Sequence, residues 1–108
     1  MPMIEDQTKE IIDILSDCLA KCEACIQDCA AQGDKDLAGC IKLCSDCADL
    51  CRACISLLAR GSQFSAELCR LCAEVCEQCA QECERTGMIE CAETCRRAAE
   101  ACRRMAGV

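Results

Sequence analysis

The chain has 108 residues, 17 of them cysteine, and its 19 acidic against 12 basic side chains give a formal charge of −7. That length supports one small domain with one core, spanning residues 1–108. The acidic balance argues against nucleic acid and acidic membrane surfaces as partners. Histidine, tryptophan and tyrosine are absent and Phe64 is the one aromatic residue, so the usual general base, imidazole ligands and stacking platforms are missing and no catalysed reaction is expected. No run is apolar enough to cross a bilayer, and Met1 to Asp13 is polar and acidic, so a soluble cytoplasmic protein is expected.

Glycines punctuate the sequence at Gly33, Gly61, Gly87 and Gly107, each just past a long helix-compatible run, where a helix normally ends. The first helix is predicted over about 4–31 and carries Cys18, Cys22, Cys25 and Cys29. The second, with Asp34 as its N-cap, is predicted over about 35–59 and carries Cys40, Cys44, Cys47, Cys51 and Cys54. Ser62 caps a third over about 63–85, with Cys69, Cys72, Cys76, Cys79 and Cys83. Through Thr86-Gly87 the chain enters a fourth, over about 88–105, with Cys91, Cys95 and Cys102 and with Ala98 filling the gap in register. Connections this short make successive helices antiparallel, so the expected fold is all-α, an up-down-up-down four-helix bundle.

Within the first three helices every cysteine lies three or four residues from the next. That is the repeat of a bundle seam, so the thiols share one stripe of each helix, where leucine normally sits. The same register continues through Ile4, Ile11 and Leu15, through Leu37 and Leu58, and through Met88 and Met105. A seam of small thiols is a poor apolar core, because each void costs roughly 1 kcal/mol or more. Disulfides fit badly within a helix, where Cβ atoms three or four residues apart are about 5–6 Å apart and a disulfide wants about 3.5–4.5 Å. Pairing between helices stays open.

A metal ion between two sulfurs fits better, since two bonds of about 2.3 Å span roughly 4.6 Å. Charge then discriminates between metals. A zinc site with four thiolates leaves a double negative charge in a dry interior, which is costly when repeated. One Cu(I) per thiolate leaves the core near neutral, and soft sulfur ligands select Cu(I). The spacing therefore points to multiple Cu(I) ions held by all seventeen thiols, with Met88 as a candidate outer ligand. Zinc binding, iron–sulfur cluster binding and thiol redox chemistry remain as alternatives.

Antiparallel packing gathers Ile4, Ile11, Leu15, Leu58, Phe64, Leu68 and Met105 at one pole, an expected apolar plug. Cys29, Cys40, Cys83, Cys91 and Met88 gather at the other, where ions are expected to enter and Glu84 and Glu90 could draw cations. A second apolar line of Leu43, Leu50 and Leu57 with Leu71 and Val75 lies off the thiol stripe; it either flanks the core or serves a homo-oligomer.

The chain resembles the cytosolic copper storage proteins, most specifically in Cys40-Ile41-Lys42-Leu43-Cys44 through Cys47-Ala48-Asp49-Leu50-Cys51, and in Leu68-Cys69-Arg70-Leu71-Cys72-Ala73-Glu74-Val75-Cys76 with Cys79 and Cys83. The resemblance implies a tetramer of bundles, many Cu(I) ions in each, and loading through the end bearing the loop between helices three and four. It departs from the family at that loop, Thr86-Gly87-Met88-Ile89-Glu90, which lacks the histidines usual there.

Overall fold

Between its glycines the chain is rich in alanine, leucine, glutamate, glutamine and arginine, which lose little on becoming helical. The structure, a computed structural model, describes residues 4–107; Met1 to Met3 and Val108, assigned above to the same domain, lie outside the described residues. Four helices result, α1 (Asp6–Gln32), α2 (Ala38–Ala59), α3 (Ser65–Arg85) and α4 (Ile89–Ala106), with a 3₁₀ turn at Lys35–Leu37 leading into α2. Each helix lies against its neighbours in sequence, and α4 closes the ring against α1. The result is the expected antiparallel four-helix bundle, with no strand among the described residues.

Gly61 and Gly87 make the tight reversals, with φ of 66° and 84° in the left-handed region that side chains resist. The next amides then reach back: Ser62 N donates to Leu57 O at 2.9 Å and Met88 N to Cys83 O at 2.7 Å, satisfying carbonyls that a helix end would otherwise orphan. The predicted caps act slightly earlier than expected. Asp34 accepts from the Asp36 amide at 2.9 Å and so caps the 3₁₀ turn, not α2 itself. Ser62 Oγ accepts from Phe64 N at 3.1 Å, holding the turn before α3. In both places a capping turn stands between cap and helix, so α2 and α3 begin after the predicted residues 35 and 63.

The seam is the core. All seventeen cysteines are buried, and Leu37 and the plug residues Ile11, Leu15 and Leu58 are buried with them. Alanines at Ala73, Ala80, Ala92 and Ala99 add a second buried row on α3 and α4, where small side chains let helices approach closely. Ile4, Leu68 and Met105 are half-buried at the plug pole. Phe64 is not part of it: the ring is 56 % exposed, because the residue sits in the turn before α3, where helical periodicity does not aim its side chain. Leu43, Leu50, Leu57 and Val75 are half-buried beside the core, whereas Leu71 is 47 % exposed. No helix among the described residues is long and apolar enough to cross a membrane.

Candidate metal centre

The three-four repeat carries every thiol to the interior, and most have no exposed surface at all. Cys25 and Cys91, at 6 % and 5 %, are the most exposed of the set. Along single helices, Sγ atoms approach to 3.8 Å for Cys25–Cys29 and Cys72–Cys76, 3.9 Å for Cys79–Cys83 and 4.0 Å for Cys40–Cys44. Between helices they come closer. The shortest contacts are Cys47–Cys76 at 3.4 Å and Cys44–Cys79, Cys44–Cys83 and Cys79–Cys95 at 3.6 Å. Cys40–Cys83 follows at 3.7 Å, and Cys18–Cys47, Cys18–Cys95, Cys22–Cys95 and Cys25–Cys40 at 3.8 Å. Cys22–Cys91 at 3.9 Å, with Cys44–Cys91 and Cys51–Cys72 at 4.0 Å, completes the series.

Tracing these contacts joins fourteen sulfurs from all four helices into one network without a break. Cys54, Cys69 and Cys102 are equally buried. Every cysteine is a free thiol, and the contact distances lie far outside the disulfide bond length of about 2.05 Å.

Five compact groups have all their sulfurs within 4.8 Å of one another. Three contain four thiols: Cys18, Cys47, Cys51 and Cys76; Cys18, Cys22, Cys47 and Cys95; and Cys25, Cys44, Cys83 and Cys91. Two contain three: Cys22, Cys44 and Cys79, and Cys25, Cys29 and Cys40. Cys18, Cys22, Cys25, Cys44 and Cys47 each belong to two groups. Shared membership is what bridging thiolates need, and it disfavours independent tetrahedral sites, each of which requires four ligands of its own.

Among the described residues no basic side chain is buried with the thiols. Burial foremost pushes the Cys25 thiol above its ordinary range, with the negative charge that Cys91 and Cys40 would carry adding to it; burial likewise raises Cys29. An incoming cation must therefore displace a proton, and it restores neutrality as it does so.

Cys40 and Cys83, expected at the mouth, are fully buried. Leu37 is buried at this end, and Arg85 ties the end of α3 to the 3₁₀ turn, donating to Asp36 Oδ1 at 3.2 Å and to Glu82 Oε1 at 2.8 Å. Hydrogen bonding from Arg85 holds the Glu82 carboxyl below the usual range. Beside this end a cleft of about 250 Å³ lies between α1 and the start of α4, lined by Lys21, Ala24, Cys25, Asp28, Met88, Ile89, Glu90 and Cys91.

Glu90 thus lies where the sequence placed it, whereas Glu84 pairs with Arg96 at 2.8 Å. Lys21 and Asp28 are residues the sequence reading passed over. Their spacing of four and three residues from Cys25 on α1 is the signal that would have found them. At the plug pole, two clefts among Ile4, Thr8, Ile11, Leu58 and Met105 contain no thiol in their linings.

The sequence pattern of the copper storage protein family matches residues 4–107. Apo copper storage protein 3 from Bacillus subtilis superimposes with a TM-score of 0.82 and 37 % identity, covering 92 % of this chain and 98 % of that one. The Cu(I)-bound copper storage protein BsCsp3 gives a TM-score of 0.88 at 34 % identity, covering 94 % of this chain and 99 % of the other. The Nmul_A1745 protein from Nitrosospira multiformis is similar at a TM-score of 0.86 and 33 % identity, over 94 % and 95 % of the two chains. Among curated proteins none is significantly similar. A seam of buried, mutually bridging thiols and a family match over nearly the whole length agree: the chain belongs to the copper storage protein family.

Proposed function

We propose that this chain, acting as one domain in the cytoplasm, stores many Cu(I) ions with its seventeen cysteines as ligands and Met88 as an outer thioether at the mouth, and that it catalyses no reaction. The observation that carries the reading is the sharing of thiols between adjacent groups, Cys44 and Cys47 above all. A sulfur within reach of two ions neutralises half of each, so one Cu(I) per thiol leaves an uncharged interior. The Cu(I)-bound relative supports the choice of ion. Membership in the copper storage family supports a storage role.

A thiol redox protein needs a reactive cysteine that a partner can reach; here even Cys25 is 94 % covered, by subtraction from its 6 % exposure. Ions would pass from the cleft at Cys25 and Cys91 to the interior by exchange between neighbouring sulfurs, each thiol losing its proton to solvent as it takes up copper. Self-association, a tetramer in the resemblance, would use the apolar face of α2 and α3 around Leu71.

The test is an anaerobic titration of the fully reduced protein with Cu(I), followed by metal counting and competition with zinc. Retention of ions in numbers close to the thiol count supports storage. Saturation at one or two ions, or preferential filling by zinc, overturns it.

A further inference from the structure

Two of the five compact sulfur groups contain three thiols, and they share no residue. Cys22, Cys44 and Cys79 are fully covered, whereas in the other group Cys25 keeps 6 % and Cys29 1 % of its surface exposed. That second group comes from one helical hairpin: Cys25 and Cys29 lie near the end of α1, with Cys29 in its last turn, and Cys40 lies in the first turn of α2. Cys25 Sγ is 3.8 Å from both Cys29 Sγ and Cys40 Sγ. Cys29 and Cys40 belong to no other of the five groups.

Charge decides what three thiols meeting at one point suit. A single Cu(I) on three thiolates leaves a double negative charge, and a divalent ion leaves a single one. Both are costly in an interior where, among the described residues, no basic side chain is buried. A soft trivalent centre leaves none. Trivalent arsenic is such a centre; it bonds three sulfurs as a pyramid, and its lone pair takes the remaining direction, so a group of three suits it better than a group of four.

We propose that Cys25, Cys29 and Cys40 form a binding site for trivalent arsenic, taken up as arsenous acid, As(OH)3. The step is a condensation with no electron transfer. Three S–H and three As–O bonds break, three As–S and three O–H bonds form, and three water molecules leave. Reactants and products are uncharged, so the buried core gains no charge. The 3.8 Å spacings fall inside the roughly 4.6 Å that two bonds of metal–sulfur length span. The inference goes beyond the storage reading and does not need it, since it stands on the number and placement of these donors. If the same thiols also hold copper, the two loads exclude each other at this group.

The experiment adds one equivalent of sodium arsenite to the fully reduced, metal-free chain under anaerobic conditions. Intact-mass measurement after gel filtration should show one arsenic gained and three hydrogens lost, and arsenic X-ray absorption should show sulfur as its only neighbour. Cys29→Ala and Cys40→Ala should each lose the retained arsenic, whereas Cys51→Ala, on the same helix as Cys40 but outside the group, should keep it. Circular dichroism checks folding, and Cys29→Ala, at the end of α1, decides the matter if Cys40→Ala does not fold. Arsenic washed out by gel filtration, bound through fewer than three sulfurs, or unaffected by the Cys29 substitution would overturn the site. The copper capacity of the same preparation is counted separately, so a failure of the storage reading is told apart from a failure of this one.

Discussion

The sulfurs of Cys47 on α2 and Cys76 on α3 lie 3.4 Å apart, and neither has any exposed surface. Cys47 also contacts Cys18 at 3.8 Å, so this pair joins α1, α2 and α3 at mid-bundle. A Cys47→Ala and Cys76→Ala double variant should stay helical while losing about 1 kcal/mol of apo stability for each vacated volume. It should also bind at least two fewer Cu(I) ions. Metal counting after gel filtration, beside urea unfolding, reads both effects; unchanged capacity would remove these sulfurs from the ligand set.

Loading should raise the melting temperature. A ligand bound by the native state alone adds about 2.7 kcal/mol at a hundred times its dissociation constant. Thiols of the unfolded chain also bind copper, so the observed gain will be smaller than that figure. Anaerobic thermal scans across a Cu(I) titration measure it, and a melting temperature unmoved at full loading would refute the coupling.

Cys25 and Cys29 are held above the ordinary thiol range by burial. Their contribution to apo stability is therefore complete below the unfolded thiol pKa of about 8.5 and is lost as pH rises toward the folded values. The unfolded chain sheds these protons first, so unfolding free energy should fall with pH above about 8.5 and stay flat with respect to these groups from pH 6 to 8. Copper-loaded protein, whose thiols have no proton to lose, should not show the decline. Denaturant midpoints for the two forms between pH 7 and 10 make the comparison.

Cys25 and Cys91 line the lateral cleft and are the most exposed of the thiols. Replacing both by alanine should slow uptake about tenfold, equivalent to a barrier higher by about 1.4 kcal/mol, while lowering capacity by only a few ions. Stopped-flow transfer from a Cu(I) chelator reports the rate. The interior pair Cys47 and Cys76 is the control, because its loss should cut capacity with little effect on the first phase of uptake.

Leu71 is 47 % exposed beside half-buried Leu43, Leu50 and Val75. Burying one such side chain in an interface is worth about 1.5–3 kcal/mol, so Leu71→Glu should shift the protein toward smaller assemblies. Light scattering coupled to size exclusion decides it, and an oligomer indifferent to the substitution would place the interface elsewhere.

Much of this molecule is written in spacing. Steps of three and four residues dictate which side of each helix carries sulfur, and Gly61 and Gly87 dictate where the chain reverses, because both effects are local to one helix or one turn. The bundle, its thiol seam and the choice of a soft monovalent ion follow from those features and from charge. Periodicity assigns a direction around an axis; it does not set how far one helix slides along another or how closely two approach.

Those quantities depend on side-chain volumes meeting across the bundle, and they decided the rest. They bring Cys47 against Cys76 and leave a cleft between α1 and the start of α4 beside Cys25 and Cys91. Phe64 turned outward because it belongs to a turn, and Glu84 was taken up by Arg96 from the neighbouring helix. Each of these is a relation between residues distant in sequence, decided only when the four helices pack.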